Sequence, residues 1–191
     1  MALGYNSCWF NFPSNEEWRL YDYFKDDAAY IDIETGSRKE VSVVGIYFRD
    51  KVFQFVSGIN MDKGMIKKII DESSMIVSFN GKSFDLPVLK RYFGDIFKKP
   101  HLDLMHAGRK VGLRGGLKLI EKEIGVKRDE EVCGMDGEGA VFLWDMYKNS
   151  GNREYLKKLL LYNEEDIVNL KPLAEHVYKE LHESIKNKFF K

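Results

Sequence analysis

Two acidic side chains stand where a buried strand would carry apolar ones. Asp32 and Glu34 lie two residues apart in the β-branched run YIDIETG, residues 30–36. Because side chains alternate along a strand, the isoleucines point to one face and the two acids share the other. Carboxylates this close repel each other unless a cation or a proton neutralises them. The pair predicts a divalent metal site; the alternative is the solvated face of an edge strand.

Three further side chains have a chemistry that would complete such a site. Asp85 follows an apolar strand pattern and opens a helical one, where an acid also serves simply as a partner of the helix dipole. Tyr162 and Asp166 are four residues apart in a helical pattern and therefore share one helix face. An acid on a helix is usually solvated, so each of these residues alone is a weak signal and their combination matters.

The elements that must position these residues can be predicted from periodicity and turn residues. Strands are predicted at 30–35, 41–49, 52–56, 75–79 and 101–104. Helices are predicted at 65–71, 84–93 and 117–124 and from 137 onwards, with a capping box at 14–17 opening an aromatic helix. This order predicts an α/β fold with a mixed sheet, three antiparallel strands followed by parallel ones, flanked by helices.

Composition favours one ordered domain over residues 1–191. Hydrophobic residues make up 44% of the chain and aromatic residues 14%. No secretion signal or long apolar run is present, which predicts a cytoplasmic protein without membrane association. The only cysteines, Cys8 and Cys133, form no C-x-x-C pair, which disfavours a disulfide framework or a thiolate zinc site.

Charge is balanced overall but uneven along the chain. Thirty basic residues match thirty acidic ones, so the molecule as a whole is not a polycation built for nucleic acid. Residues 82–128, however, contain twelve Lys or Arg against five acids, which predicts a local basic surface. Within this stretch Arg114 and Lys118 lie in or next to a glycine-rich loop that would meet phosphates or would simply be a flexible turn.

Two other polar residues lie beside the predicted site. Asn80 ends a strand and would orient Asp85, contact the substrate or serve only as a turn residue. Asp103, at the end of the last predicted strand, would be a metal ligand, support the ligands or cap a turn. The sequence leaves these alternatives open.

Taken together, the Asp-x-Glu strand, Asp85 and the Tyr-x-x-x-Asp helix resemble the metal site of the DEDD exonucleases, in their tyrosine-bearing subgroup. The segment around Asp85, residues 80–87, resembles the second exonuclease motif of family B DNA polymerase proofreading domains. The whole chain resembles YprB-like, ribonuclease-H-like exonuclease domains from about Tyr30 to Leu173. The stretches that carry this wider resemblance are residues 101–104, 117–121 and 162–170.

The resemblance implies a ribonuclease-H-like fold and a 3′-5′ exonuclease that removes nucleoside monophosphates from single-stranded ends with two divalent cations. Asp32 would bridge the cations, Glu34, Asp85 and Asp166 would complete the cage, and Tyr162 would hold the attacking water. Two cations about 3.5–4 Å apart suit phosphodiester hydrolysis, and oxygen ligands favour Mg²⁺ or Mn²⁺.

Two other functions are compatible with the same fold. A catalytically inactive nucleic-acid-binding or adaptor domain is disfavoured by the presence of all five side chains together. A structure-selective endonuclease would not need Tyr162. A helicase or polymerase partner is compatible with the resemblance, whereas no residue indicates the oligomeric state or a choice between DNA and RNA.

Overall fold

A five-stranded mixed sheet organises the protein. The computed structural model describes residues 12, 13 and 15–189. The strands, listed in chain order, are β1 (Ala28–Thr35), β2 (Val41–Phe48), β3 (Lys51–Val56), β4 (Met75–Ser78) and β5 (His101–Asp103). Their order in the sheet is β3-β2-β1-β4-β5, with β1, β2 and β3 antiparallel and β4 and β5 parallel to β1. The predicted ribonuclease-H-like arrangement of strands is confirmed.

Helices cover both faces of this sheet. Their bounds are α1 (Tyr21–Phe24), α2 (Lys63–Glu72), α3 (Asp85–Phe93), α4 (Leu104–Lys110), α5 (Leu117–Ile124), α6 (Gly137–Ser150) and α7 (Arg153–Phe189). Helix α7 contacts β1, β2, β3 and β4, so it crosses most of one face of the sheet. Among the helices that the structure describes, none combines the length and the apolar character needed to span a bilayer.

The β2–β3 hairpin turns one residue earlier than the sequence predicts. The prediction placed the turn at residues 50–51, whereas Arg49 and Asp50 form it and both have positive φ, 49° and 57°. Positive φ at both central residues matches the right-handed twist of a two-residue hairpin. Asp50 is a residue type that tolerates positive φ but Arg49 is not, so the sequence does not mark Arg49 as a turn residue, which explains the error of one position.

The two faces of β1 carry different kinds of residue. Ile31 and Ile33 pack into one core cluster with Ile66 and Ile70 of α2 and Leu89 of α3. On the other face Tyr30 belongs to a second core cluster, to which α7 contributes several residues. The acids follow Tyr30 on this second face, because side chains alternate along the strand.

Two predictions involve residues outside the described ranges. Ser14 of the predicted capping box and Cys8 both lie there. The chain beyond Ser14 does form a short 3₁₀ turn at Glu17–Leu20 that leads into α1. Cys133 is an exposed free thiol.

Candidate metal centre

The acids of β1 lie on a covered face of a central strand. β1 is the third of five strands in the sheet, and α7 packs against it. Glu34 is buried, while Asp32 keeps part of its side chain open to a cavity. The alternative of a solvated edge strand is therefore wrong, and the two carboxylates need neutral or positive partners.

Helix α7 brings the next two side chains to this face. Tyr162 and Asp166 are one helical turn apart and both are buried. One carboxylate oxygen from each of Asp32, Glu34 and Asp166 can be chosen so that all three lie within 4.8 Å of one another. Two side chains that are far from β1 in the sequence thus lie beside its acidic pair.

Asp85 reaches the centre from α3, the helix that follows β4, and β4 is the strand next to β1 on the side opposite β2. It is the first residue of α3, it is buried, and its Oδ1 accepts a hydrogen bond of 3.1 Å from the backbone N–H of Ile33. This bond ties the start of α3 to β1 between its two acids. A cavity of about 250 Å³ is lined by Asn80 and by all five side chains of the predicted metal site, namely Asp32, Glu34, Asp85, Tyr162 and Asp166.

Crowding raises the pKa of these carboxyl groups. Burial raises the pKa of Asp32 well above its usual range, and the neighbouring carboxylates of Asp85, Glu34 and Asp166 raise it further. Burial likewise raises the pKa of Glu34, with Asp166 and Asp85 adding to the effect. Burial raises the pKa of Asp85 to about 7. Keeping all of these carboxyl groups ionised at the same time is therefore unfavourable, and the centre favours a proton or a cation.

Asp166 differs from the other acids because an arginine neutralises it. Nη2 of Arg128 donates to Asp166 Oδ1, and the same guanidinium binds Glu121 through two hydrogen bonds, of which the Nη2–Oε1 bond is 2.7 Å. The side chains of Arg128 and Glu121 are almost fully buried. Burial raises the pKa of Asp166, while Arg128 opposes that rise. This ion triad fixes the α7 side of the centre to the segment after α5.

Lys118 occupies the position next to the tyrosine. Its Nζ donates a hydrogen bond of 2.6 Å to the hydroxyl of Tyr162 and lies 4.1 Å from the centroid of the ring. Nζ also donates to the backbone carbonyl of Met135. Burial, followed by the Asp166, Glu34 and Asp32 carboxylates, raises the pKa of Tyr162, so the phenol stays protonated. Because an ammonium group only donates, the Tyr162 O–H remains available to donate into the cavity.

Asp103 supports the loop after β4. Its Oδ1 accepts from the backbone N–H groups of Asn80 (3.0 Å) and Met105 (3.1 Å), and its Oδ2 accepts from that of Lys82 (3.0 Å). These bonds cap α4 and hold Asn80 at a φ of 63° beside the cavity. Of the alternatives that the sequence left open, the structure matches a capping acid that positions the loop leading to Asp85.

Arg114 lies apart from the cavity lining. It is exposed, and its Nη1 donates to the backbone carbonyl of Arg109 at 2.9 Å. Arg114 and Lys118, which the sequence suggested as a joint phosphate contact, therefore have different surroundings. Lys118 contacts Tyr162, whereas Arg114 lies on the surface of its own loop.

Two contacts of the centre were not anticipated from the sequence. Asn163 is completely buried, and its Nδ2 donates a hydrogen bond of 3.1 Å to Asp32 Oδ2. Arg128 is the second, through its bond to Asp166. Periodicity gives no signal for either, because a buried asparagine and a solvated one look alike in a sequence. Gly45, in the interior of β2, is the one local signal, since such a glycine marks a close approach.

The donor set fits a hard divalent cation. Asp32, Glu34 and Asp166 offer only carboxylate oxygens, which are the ligands that Mg²⁺ and Mn²⁺ prefer. Asp85 lines the same cavity and offers a fourth carboxylate. Raised carboxyl pKa values show the electrostatic cost that a bound cation would remove.

Comparison with known families assigns the chain. A family model described as the RNase_H superfamily matches residues 29–178, which include every residue of the centre. The protein therefore belongs to the RNase H superfamily, and it carries an RNase H-like fold with an acidic cluster suited to metal binding. Comparison with curated protein sequences finds no match.

One solved structure shows the same fold. The family B DNA polymerase from the hyperthermophilic archaeon Pyrobaculum calidifontis is similar, with a TM-score of 0.60 and 18% sequence identity. The matched region covers 78% of this chain but only 24% of the polymerase chain. The likeness thus concerns about a quarter of that polymerase, and it supports the fold predicted from the proofreading-domain resemblance.

The raised pKa values predict that the metal-free protein gains stability as the pH falls from about 8.5 to about 6.5. The folded state takes up a proton at Asp85 near pH 7, whereas the unfolded chain stays ionised there, so stability is lost as the pH rises through about 7. We expect a gain on the order of 1 kcal/mol, or about 2–4 °C in Tm. Calorimetry in chelator measures it, and Asp85→Asn is expected to flatten the slope; equal slopes would contradict the assignment.

The buried ion triad predicts a large loss of stability on replacing its arginine. Arg128→Met leaves Glu121 and Asp166 buried without their counter-charge, which is expected to cost about 3–5 kcal/mol. Urea unfolding monitored by circular dichroism measures the change. Arg114→Met is the matched control, because its exposed guanidinium bonds only backbone carbonyls and its loss should cost under about 0.5 kcal/mol.

Proposed function

We propose that the protein is a metal-dependent 3′-5′ exonuclease that hydrolyses phosphodiester bonds at single-stranded nucleic-acid ends. The observation that carries the proposal is the convergence of four carboxylates and one tyrosine, from β1, α3 and α7, on one cavity. This is the set that the DEDD resemblance implies, and the RNase H superfamily membership supports it.

The acids have separate roles in this proposal. Asp32, Glu34 and Asp166 would hold one divalent cation, because their oxygens already lie within reach of a common position. Asp32 and Asp85, which line the same cavity, would hold a second. When bound, the two cations supply activation of the attacking water and neutralisation of charge on the phosphoryl group. The protein's contribution is to keep these oxygens fixed around the cavity.

Tyr162 positions the attacking water. Its hydroxyl accepts from Lys118 and keeps its own proton, so it acts as an oriented donor at the cavity and not as a general base. Lys118 is held by the Met135 carbonyl as well as by Tyr162. Its charge lies near Asp166 and Glu34, and it would also stabilise negative charge on a bound phosphate.

The surroundings of the cavity suit a single-stranded end. Phe84 lines the cavity and remains 46% exposed, which offers a surface for stacking a base. A single-stranded end has an unpaired base that is free to stack there. We further propose that the described fold acts as one domain, at a cytoplasmic location, with DNA or RNA as substrate and with a helicase or polymerase as a partner.

End-labelled strands test the reaction directly. With Mg²⁺ or Mn²⁺, a 3′-labelled single strand should release labelled mononucleotide at once, while a 5′-labelled strand should shorten progressively. Matched DNA and RNA strands identify the preferred sugar. Internal fragments from both labels would instead indicate an endonuclease, and binding without cleavage an adaptor.

Substitutions in the centre provide the matching controls. Asp32→Ala should abolish cleavage without preventing folding, and Tyr162→Phe should reduce the rate up to about 100-fold by releasing the water. Glu164→Ala and Tyr155→Phe, on the same helix but outside the cavity lining, should behave like the parent. Wild-type cleavage by Asp32→Ala would refute the proposed centre.

Metal binding should also stabilise the fold. At about 100 times its dissociation constant a ligand adds about 2.7 kcal/mol, so millimolar Mn²⁺ is expected to raise the Tm by about 5–10 °C at neutral pH. Asp32→Ala should lose this shift because the carboxylate common to both proposed cation positions is gone. A parent protein whose Tm does not respond to Mn²⁺ or Mg²⁺ would exclude the metal centre.

A further inference from the structure

Asn163 forms a hydrogen bond with the carboxylate of Asp32, the acid shared by both proposed cation positions. Its side chain is fully buried on α7, and Nδ2 donates a hydrogen bond of 3.1 Å to Asp32 Oδ2. A carboxylate with one oxygen engaged in this way has its side-chain torsion restricted, while its other oxygen remains free to bind a cation. The contact joins α7 to β1 within the site itself.

Gln54 determines which end of the Asn163 amide faces Asp32. Its Nε2 donates to Asn163 Oδ1 at 3.1 Å and to the backbone carbonyl of Leu160 at 2.7 Å. Because Gln54 offers a donor, Asn163 must present its oxygen to Gln54 and therefore its NH₂ group to Asp32. A reversed amide would place two donors against each other and an oxygen against a carboxylate. The orientation is thus set on β3, away from the cavity.

Gly45 provides the space for this amide. It is the residue of β2 that pairs directly with Asp32 across the antiparallel ladder. A Cβ atom at position 45 would lie 2.2 Å from Asn163 Oδ1 and 2.8 Å from its Cγ, far inside van der Waals contact. A glycine is therefore needed in the middle of this strand, because any larger residue would clash with Asn163.

We propose that Asn163, oriented by Gln54 and accommodated by Gly45, is a positioning residue that pre-organises Asp32 for cation binding. The inference rests on the proposed function for the identity of the ligand set. A neutral amide suits this task, because it stabilises the carboxylate through a hydrogen bond without adding a positive charge that would repel the cation. Arg128 contacts Asp166 in a comparable way, but its guanidinium also neutralises the charge of that acid.

Direct measurement of Mn²⁺ affinity tests the inference without relying on nuclease activity. The free Mn²⁺ signal in electron paramagnetic resonance gives the dissociation constant for the parent and for Asn163→Leu, Gln54→Met and Gly45→Ala. We expect each variant to bind Mn²⁺ about 10- to 100-fold more weakly, as is typical when a group supporting a metal ligand is removed. Activity should follow through a higher Mn²⁺ requirement, with the maximal rate at saturating Mn²⁺ changing less.

A matched control lies on the same helix. Asn169 is also a buried asparagine of α7, but its Nδ2 has no hydrogen-bond partner among the residues that the structure describes. Asn169→Leu should therefore retain the parent's affinity for Mn²⁺. A tenfold loss in this variant would show that any buried change in α7 disturbs the centre, which would overturn the specific role of Asn163.

The outcomes separate the inference from the proposed function. If the parent does not bind Mn²⁺, the proposed metal centre fails. If the parent binds and Gln54→Met binds within about twofold of it, the positioning role is refuted while the metal centre stands. Should Asn163→Leu or Gly45→Ala fail to unfold cooperatively in urea, Gln54→Met decides, because Gln54 is only partly buried and its replacement keeps the length of the side chain.

Discussion

Mutual repulsion among buried carboxylates is the constraint around which this protein is organised. Asp32, Glu34, Asp85 and Asp166 come from three elements and share one cavity, although like charges at short range raise the free energy of the folded state. The neighbouring groups lower that cost in different ways. An arginine neutralises one acid, an amide binds a second, and a backbone N–H binds a third.

The way these partners are distributed determines where a cation would be most favourable. Asp166 already has a positive partner in Arg128, so Asp32, Glu34 and Asp85 are the carboxyl groups that a cation would relieve most. Lys118 contributes a further positive charge, but it is directed to the tyrosine hydroxyl. The cavity therefore combines crowded carboxyl groups on its β1 and α3 sides with a protonated phenol on its α7 side.

The fold serves the centre through a few backbone devices. The parallel pairing of β4 with β1 places the loop that follows β4 beside the acids, and Asp103 holds that loop with two backbone hydrogen bonds while a third caps α4. Gly45 lets α7 approach β2 closely enough for Asn163 to reach Asp32. None of these residues carries out chemistry, yet each one positions a residue of the centre.

Alternation and helical periodicity are local properties, so the sequence by itself determined the five strands, the mixed sheet and most of the helices, although it gave no helix at Leu104–Lys110. The conspicuous Asp-x-Glu strand and the DEDD resemblance indicated the five side chains. The sequence left Asp103 ambiguous and gave no indication of Arg128 or Asn163. Those residues acquire their roles only when α7 and the segment after α5 pack against β1, since hydrogen-bond partners far apart in the chain have no periodicity to reveal them. The tertiary structure alone decided how the repulsion is relieved, because that depends on distances between elements rather than on spacing along the chain.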